Sequence, residues 1–67
     1  MRKLKRYKYL IKYKDYIFIY ERIKNDIYGN PKYQIDVFKH VLHLGTYNIV
    51  SYDILSDITS MYENFNK

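Results

Sequence analysis

Two histidines three residues apart, His40 and His43, with Asp36 shortly upstream, are the side chains here whose types could ligate a metal or move a proton. On a helix that spacing would put both imidazoles on one face. This segment reads as the end of a strand, where residues three apart point to opposite faces. There is no cysteine and no clear third ligand, so a zinc centre is not expected. There is also no glycine-rich phosphate loop and no serine placed as a nucleophile. The sequence therefore predicts no catalysis, no cofactor and no small-molecule substrate.

The chemistry that remains is binding. Residues 1–14 hold Arg2, Lys3, Lys5, Arg6, Lys8, Lys12 and Lys14 and no acid, while the other 53 residues are slightly acidic, giving +5 overall. Cations interleaved with Tyr7, Tyr9 and Tyr13 are suited to phosphates and stacked bases. The same lysines would also serve a strand edge that must not pair with its neighbours. Ten tyrosines exceed what so small a core can hold, and tyrosine is enriched at protein interfaces. Tyr16, Tyr20, Arg22 and Lys32 extend the candidate surface along the following strands. The partners expected are a host nucleic-acid-processing protein or duplex DNA, with a homodimer through edge strands or exposed tyrosines as a further option.

The elements that position these residues follow from periodicity. Tyr16-Ile17-Phe18-Ile19-Tyr20 is aromatic or β-branched throughout, and reads as a central strand running to about Lys24, covered on one side and paired on both edges. Before it, Tyr7, Tyr9, Ile11 and Tyr13 alternate with Lys8, Leu10 and Lys12, the period of a strand. A helix over Arg2 to Lys14 is disfavoured by its tyrosines and lack of alanine. Lys14-Asp15 is a two-residue reversal. Asn25 to Pro31 is the strongest turn signal, and Ile27–Pro31 reads as hairpin chemistry rather than a recognition tip. A third strand spans Lys32 to Val41. Leu42 to Asn48 is open: Gly45-Thr46 reads as a break, and Tyr47 to Val50 as a short extra strand or the approach to a helix. Ile54, Leu55, Ile58, Met61, Tyr62 and Phe65 form one face of a C-terminal helix capped by Ser51, with Asp53 and Asp57 in its first turns.

The expectation is one α+β domain over residues 1–67, a three-stranded antiparallel sheet packed on one helix in the order β-β-β-α. Ile17, Ile19 and Ile23, with Ile35 and Val37, are predicted to form its core beneath the helix. No apolar run approaches the ~20 residues of a membrane span and no signal-peptide pattern is present, so a soluble cytoplasmic protein with no membrane partner is expected.

Tyr16–Tyr20 followed by Gly29-Asn30-Pro31-Lys32-Tyr33, a strand and a helix resembles the small amino-terminal DNA-binding domain of tyrosine integrases from conjugative transposons. The resemblance implies a three-stranded sheet whose face enters the major groove, with Lys8, Lys12, Tyr16, Tyr20, Arg22 and Lys32 facing DNA. The acidic surface of this helix departs from that family. Phe, Tyr, Met, Ile, Asn and Lys number 38 against 6 for Gly, Ala, Arg and Pro, a bias toward AT-rich codons. It points to a low-GC Gram-positive bacterium or its phages and plasmids. On that basis the expected function is inhibition of a host nucleic-acid enzyme, of the anti-CRISPR or anti-restriction kind. A DNA-binding module is the alternative.

Overall fold

The computed structural model describes residues 2–65 and shows five strands and one helix. They are β1 (Arg2–Lys5), β2 (Lys8–Tyr13), β3 (Tyr16–Ile23), β4 (Lys32–Lys39), β5 (Leu42–Val50) and α1 (Ile54–Phe65). The strands form one antiparallel meander in the order β1-β2-β3-β4-β5. β3 is its centre, paired on both sides as its double-faced apolar run implies. Met1, Asn66 and Lys67 lie outside the described residues.

The three-stranded sheet expected from the sequence, and implied by the integrase resemblance, is therefore corrected to five strands. Both additions were hidden by local backbone chemistry. β1 turns into β2 through Arg6-Tyr7, with Tyr7 at φ 66°, and β4 turns into β5 through His40-Val41, with His40 at φ 55°. Lys14, in the β2–β3 turn, has φ 57°. All three reversals are two residues long; Lys14 and His40 are the first central residue, where the favoured hairpin turns are left-handed, and Tyr7 is the second, where a type II turn is. Glycine or asparagine normally advertises that conformation, and none stands at these positions. Likewise Gly45 is not a break. It lies within β5, and a Cβ there would sit 3.0 Å from the Tyr47 hydroxyl oxygen. Glycine in a strand interior often marks such a close approach. The third strand stops at Lys39, leaving Val41 98% exposed in the turn.

Register decides which face is buried. Tyr9 stands opposite Tyr20, Ile11 opposite Phe18, Phe18 opposite Val37 and Tyr20 opposite Ile35. Tyr16, Phe18, Tyr20, Ile35, Val37, Ile58 and Tyr62 are the buried core, with Tyr9, Ile11, Tyr13, Tyr33, Ile49, Ile54, Met61 and Phe65 packed against it. The expected Ile17, Ile19 and Ile23 row is corrected: these side chains alternate with the buried ones and line the opposite, uncovered face. Helix α1 buries Ile58 and Tyr62, while Leu55 is 51% exposed.

The helix cap also moves two residues along the chain. The Ser56 N–H donates to Asp53 Oδ1 at 3.2 Å, which makes Asp53 the N-cap. Ser51 is buried instead; its hydroxyl donates to the Asp57 carboxylate, and its N–H donates to the Pro31 carbonyl at 3.1 Å. The start of α1 is thus tied to the start of β4.

Candidate binding surfaces

The thirteen residues expected to form one surface are divided between two faces and a turn. Alternation and register put Arg2, Lys5, Lys8, Lys12 and Lys32 on the open face. Lys3, opposite Tyr9, falls on the helix side with Tyr9, Tyr13, Tyr16, Tyr20 and Arg22, while Arg6 and Tyr7 form the first turn. Tyr16 and Tyr20 are 4% and 5% exposed, so neither is free to meet a partner. The sequence pattern had already separated Tyr9 from Lys8; what it left open was which face the helix would cover.

The open face has an apolar centre. Leu10 stands opposite Ile19, and Ile17 stands between Lys12 and Phe38 across the strands. These four apolar side chains are half-buried by their neighbours. Sequence reasoning missed them as surface residues because it spent the isoleucines on the core. The available signal was β3 itself, apolar on both faces in a chain with one helix to cover one of them. Around this centre stand the five cations, against Glu21 and Asp36 among the described residues. Asp36 is engaged within the sheet: the Thr46 hydroxyl donates to its Oδ1 at 2.5 Å, and His43 Nε2 lies 3.3 Å from the same oxygen. His43 also packs on Phe38, with ring centroids 4.9 Å apart. His40 sits away in the turn, and no group of three or more metal-ligating side chains occurs among the described residues.

On the helix side, Tyr7, Tyr9, Tyr20, Arg22, Tyr33 and Ile54 line a cleft of about 380 Å³. Tyr9 and Tyr20 stack at 5.3 Å, and the Arg22 guanidinium lies 5.7 Å above the Tyr33 ring. Burial first, and the neighbouring Tyr9 and Tyr33 next, push the Tyr20 hydroxyl above its ordinary pKa. Arg22 is already committed, donating to Asn25 Oδ1 at 2.7 Å. The cleft holds no paired base and nucleophile.

The β3–β4 loop is organised by Asp26, which the sequence reading passed over. Its carboxylate accepts from the Asn30 N–H at 2.8 Å, the Tyr28 N–H at 2.9 Å and Asn30 Nδ2 at 3.1 Å. Gly29 adopts φ 81°. The Tyr52 hydroxyl donates to Asn30 Oδ1, joining the loop to the segment before α1. The Asn30 backbone donor is the main cause holding the Asp26 carboxyl below its ordinary value of 3.8, assisted by the Asn30 side chain, the Tyr28 N–H and Lys32. A carboxyl with a depressed folded-state pKa stabilises the fold above its unfolded value and loses that contribution as pH falls through the folded one. The stability difference between wild type and Asp26→Asn is therefore expected to be constant above about pH 5 and to shrink below pH 4. Urea unfolding across that range, with an NMR titration of Asp26, checks it; a difference that stays unchanged below pH 3 refutes it.

Among the described residues, no helix is long and apolar enough to cross a membrane. No family model, curated protein or solved structure matches the chain.

Proposed function

We propose that this chain is a non-catalytic binding protein that presses the open face of its sheet onto an acidic protein surface. The target class suggested by its AT-rich, mobile-element-like composition is a host nucleic-acid enzyme, a CRISPR effector or restriction nuclease, which it inhibits by direct contact. The observation that supports this reading is the apolar patch of Leu10, Ile17, Ile19 and Phe38 set within Arg2, Lys5, Lys8, Lys12 and Lys32. An apolar centre with a charged rim is the anatomy of a protein interface. Its positive sign selects carboxylate-rich partners, such as the metal-binding acids of a nuclease centre, over the basic channel that holds nucleic acid.

The duplex-DNA alternative retains the five cations, but Tyr9, Tyr13, Tyr16 and Tyr20 lie on the helix side and Tyr7 stands in the first turn. Phe38 is then the one Phe or Tyr ring at the registered positions of the open face. Purified nucleases from low-GC Gram-positive hosts, and a 20-base-pair duplex, would each be titrated with the protein. Inhibition of at least one nuclease is expected, weakened at least tenfold by Lys8→Glu with Lys12→Glu, with no comparable duplex binding. Duplex binding that falls steeply between about 50 and 200 mM salt, without nuclease inhibition, would transfer the assignment to DNA. Binding to neither overturns both readings.

A further inference from the structure

The two edges of the sheet are treated very differently by the sequence. Edge strand β1 is four residues long, is exposed at every position, and carries Arg2, Lys3 and Lys5. Lysine and arginine on a short edge are a standard defence against pairing with another chain. Edge strand β5 has no such defence over most of its length. It runs nine residues, Leu42 to Val50, with no Asp, Glu, Lys, Arg or Pro. Leu42, Tyr47 and Val50 are 64%, 38% and 43% exposed along it. The single irregularity is the register shift opposite Val37 and Phe38, which places Leu44 outside the regular pairing. Beyond it, Gly45 to Val50 pairs with β4 in unbroken register and leaves its outer backbone groups open.

From this asymmetry we propose that two copies of the chain pair antiparallel along the Gly45–Val50 edge, with the two-fold axis at Asn48 so that directly opposed residues share a face, joining their meanders into one ten-stranded sheet. Antiparallel pairing of a strand with itself is two-fold symmetric and closes after two copies. Further growth would have to use β1, where one basic edge would meet another. The net charge of +5 does not oppose the dimer, because residues 1–14 carry seven cations at the far side of the sheet. At ~4.8 Å per strand the two basic edges end up ~40 Å apart, several Debye lengths at physiological salt. With the two-fold axis normal to the sheet, both helices lie on one side and both open faces form a single continuous surface on the other. On the helix side a cleft of about 260 Å³, lined by Tyr47, Ile49, Met61, Asn64 and Phe65, lies between β5 and the helix. Pairing brings the two copies of this cleft side by side, where Met61 and Phe65 gain apolar neighbours. The inference stands independently of the proposed target.

Sedimentation equilibrium from 1 to 200 µM protein, in 0.15 and 0.5 M NaCl, tests it. The expected mass rises toward twice 8.3 kDa with concentration, and at least as readily in high salt as in low. Asn48→Lys with Val50→Lys, both at exposed positions, is expected to raise the dissociation constant at least tenfold by setting like charges across the two-fold axis. Amide hydrogen exchange of the wild type gives the second readout. A paired β5 protects consecutive amides from Gly45 to Val50, whereas a free edge protects alternate ones. A strict monomer at 200 µM, a dimer indifferent to the two lysines, or alternate protection alone would each overturn the proposal. Should the lysine variant not fold, the exchange pattern decides.

Discussion

Phe18→Ala is expected to cost the chain a large part of its stability, while Ile17→Ala, one residue away, costs it little. Phe18 is fully buried, set between Ile11 and Val37 on the neighbouring strands, with its ring stacked 6.3 Å from Tyr16. Removing such a ring from a packed core costs ~3–5 kcal/mol, the lost transfer energy plus the cavity left behind. A 67-residue domain at ~0.05–0.15 kcal/mol per residue has only ~3–10 kcal/mol in total. Ile17 lies on the open face and is only half-buried, so its truncation should cost about 1 kcal/mol. Urea unfolding followed by far-ultraviolet circular dichroism measures both. Equal losses would mean that both rows are packed, and a larger loss at Ile17 that the helix covers the other one; in either case the open face would cease to exist as a binding surface.

That comparison concerns the point at which the sequence is least informative. In β3 both faces read as core: one row is Tyr16, Phe18 and Tyr20, the other Ile17, Ile19 and Ile23. Strand periodicity locates the rows but does not say which one meets the helix. The choice is made by register, because Tyr9, Ile11 and Tyr13 on β2 and Tyr33, Ile35 and Val37 on β4 fall on the tyrosine side. Their partners on the other side include Lys8, Lys12, Gln34 and Asp36, which a buried layer would have to desolvate. Considering the three strands together, rather than β3 alone, would have pointed to the observed face. The helix was legible because its stripe has one period and one apolar side, apart from Leu55. The first and last strands were obscured by left-handed Tyr7 and His40 and by a glycine whose place is set by the Tyr47 ring.

The division of residues between faces has a consequence for the charge argument. Counted along the chain, residues 1–14 make a single basic block. In space, Lys3 goes to the helix side, Arg6 and Lys14 go to turns, and the Lys14 ammonium lies 5.5 Å from the Tyr62 ring centroid. The open face keeps Arg2, Lys5, Lys8 and Lys12 and recruits Lys32 from β4. A run of like charge on a meander is thus diluted by alternation. The surface that remains combines fewer cations with an apolar centre, which is the ground for proposing a protein partner ahead of a phosphate backbone.

Tyr62→Ala should detach the helix and expose the sheet it covers. Tyr62 is one of the two helix residues that are buried, 8% exposed, and it meets Tyr13 at 4.7 Å and Tyr16 at 5.3 Å in edge-to-face geometry. Each such ring pair contributes ~0.5–1.5 kcal/mol beyond the area it buries. With that area included, truncation should cost ~3–5 kcal/mol, comparable to the Phe18 substitution. The failure should differ in kind, however. Phe18→Ala hollows the sheet itself, whereas Tyr62→Ala leaves the strand ladders intact and removes their cover. The bared face is rich in tyrosine and isoleucine, so binding of a hydrophobic dye and concentration-dependent aggregation are expected before strand structure is lost. Leu55→Ala is the control, since its side chain is 51% exposed and its loss should cost ~0.5 kcal/mol or less. A twelve-residue helix is marginal in isolation, so its amides should lose exchange protection once Tyr62 no longer holds it. Retained helix protection in Tyr62→Ala would show that Ile58 and the half-buried Ile54, Met61 and Phe65 suffice to dock it, and the two-layer fold would then rest on the aliphatic contacts rather than on the tyrosine cluster.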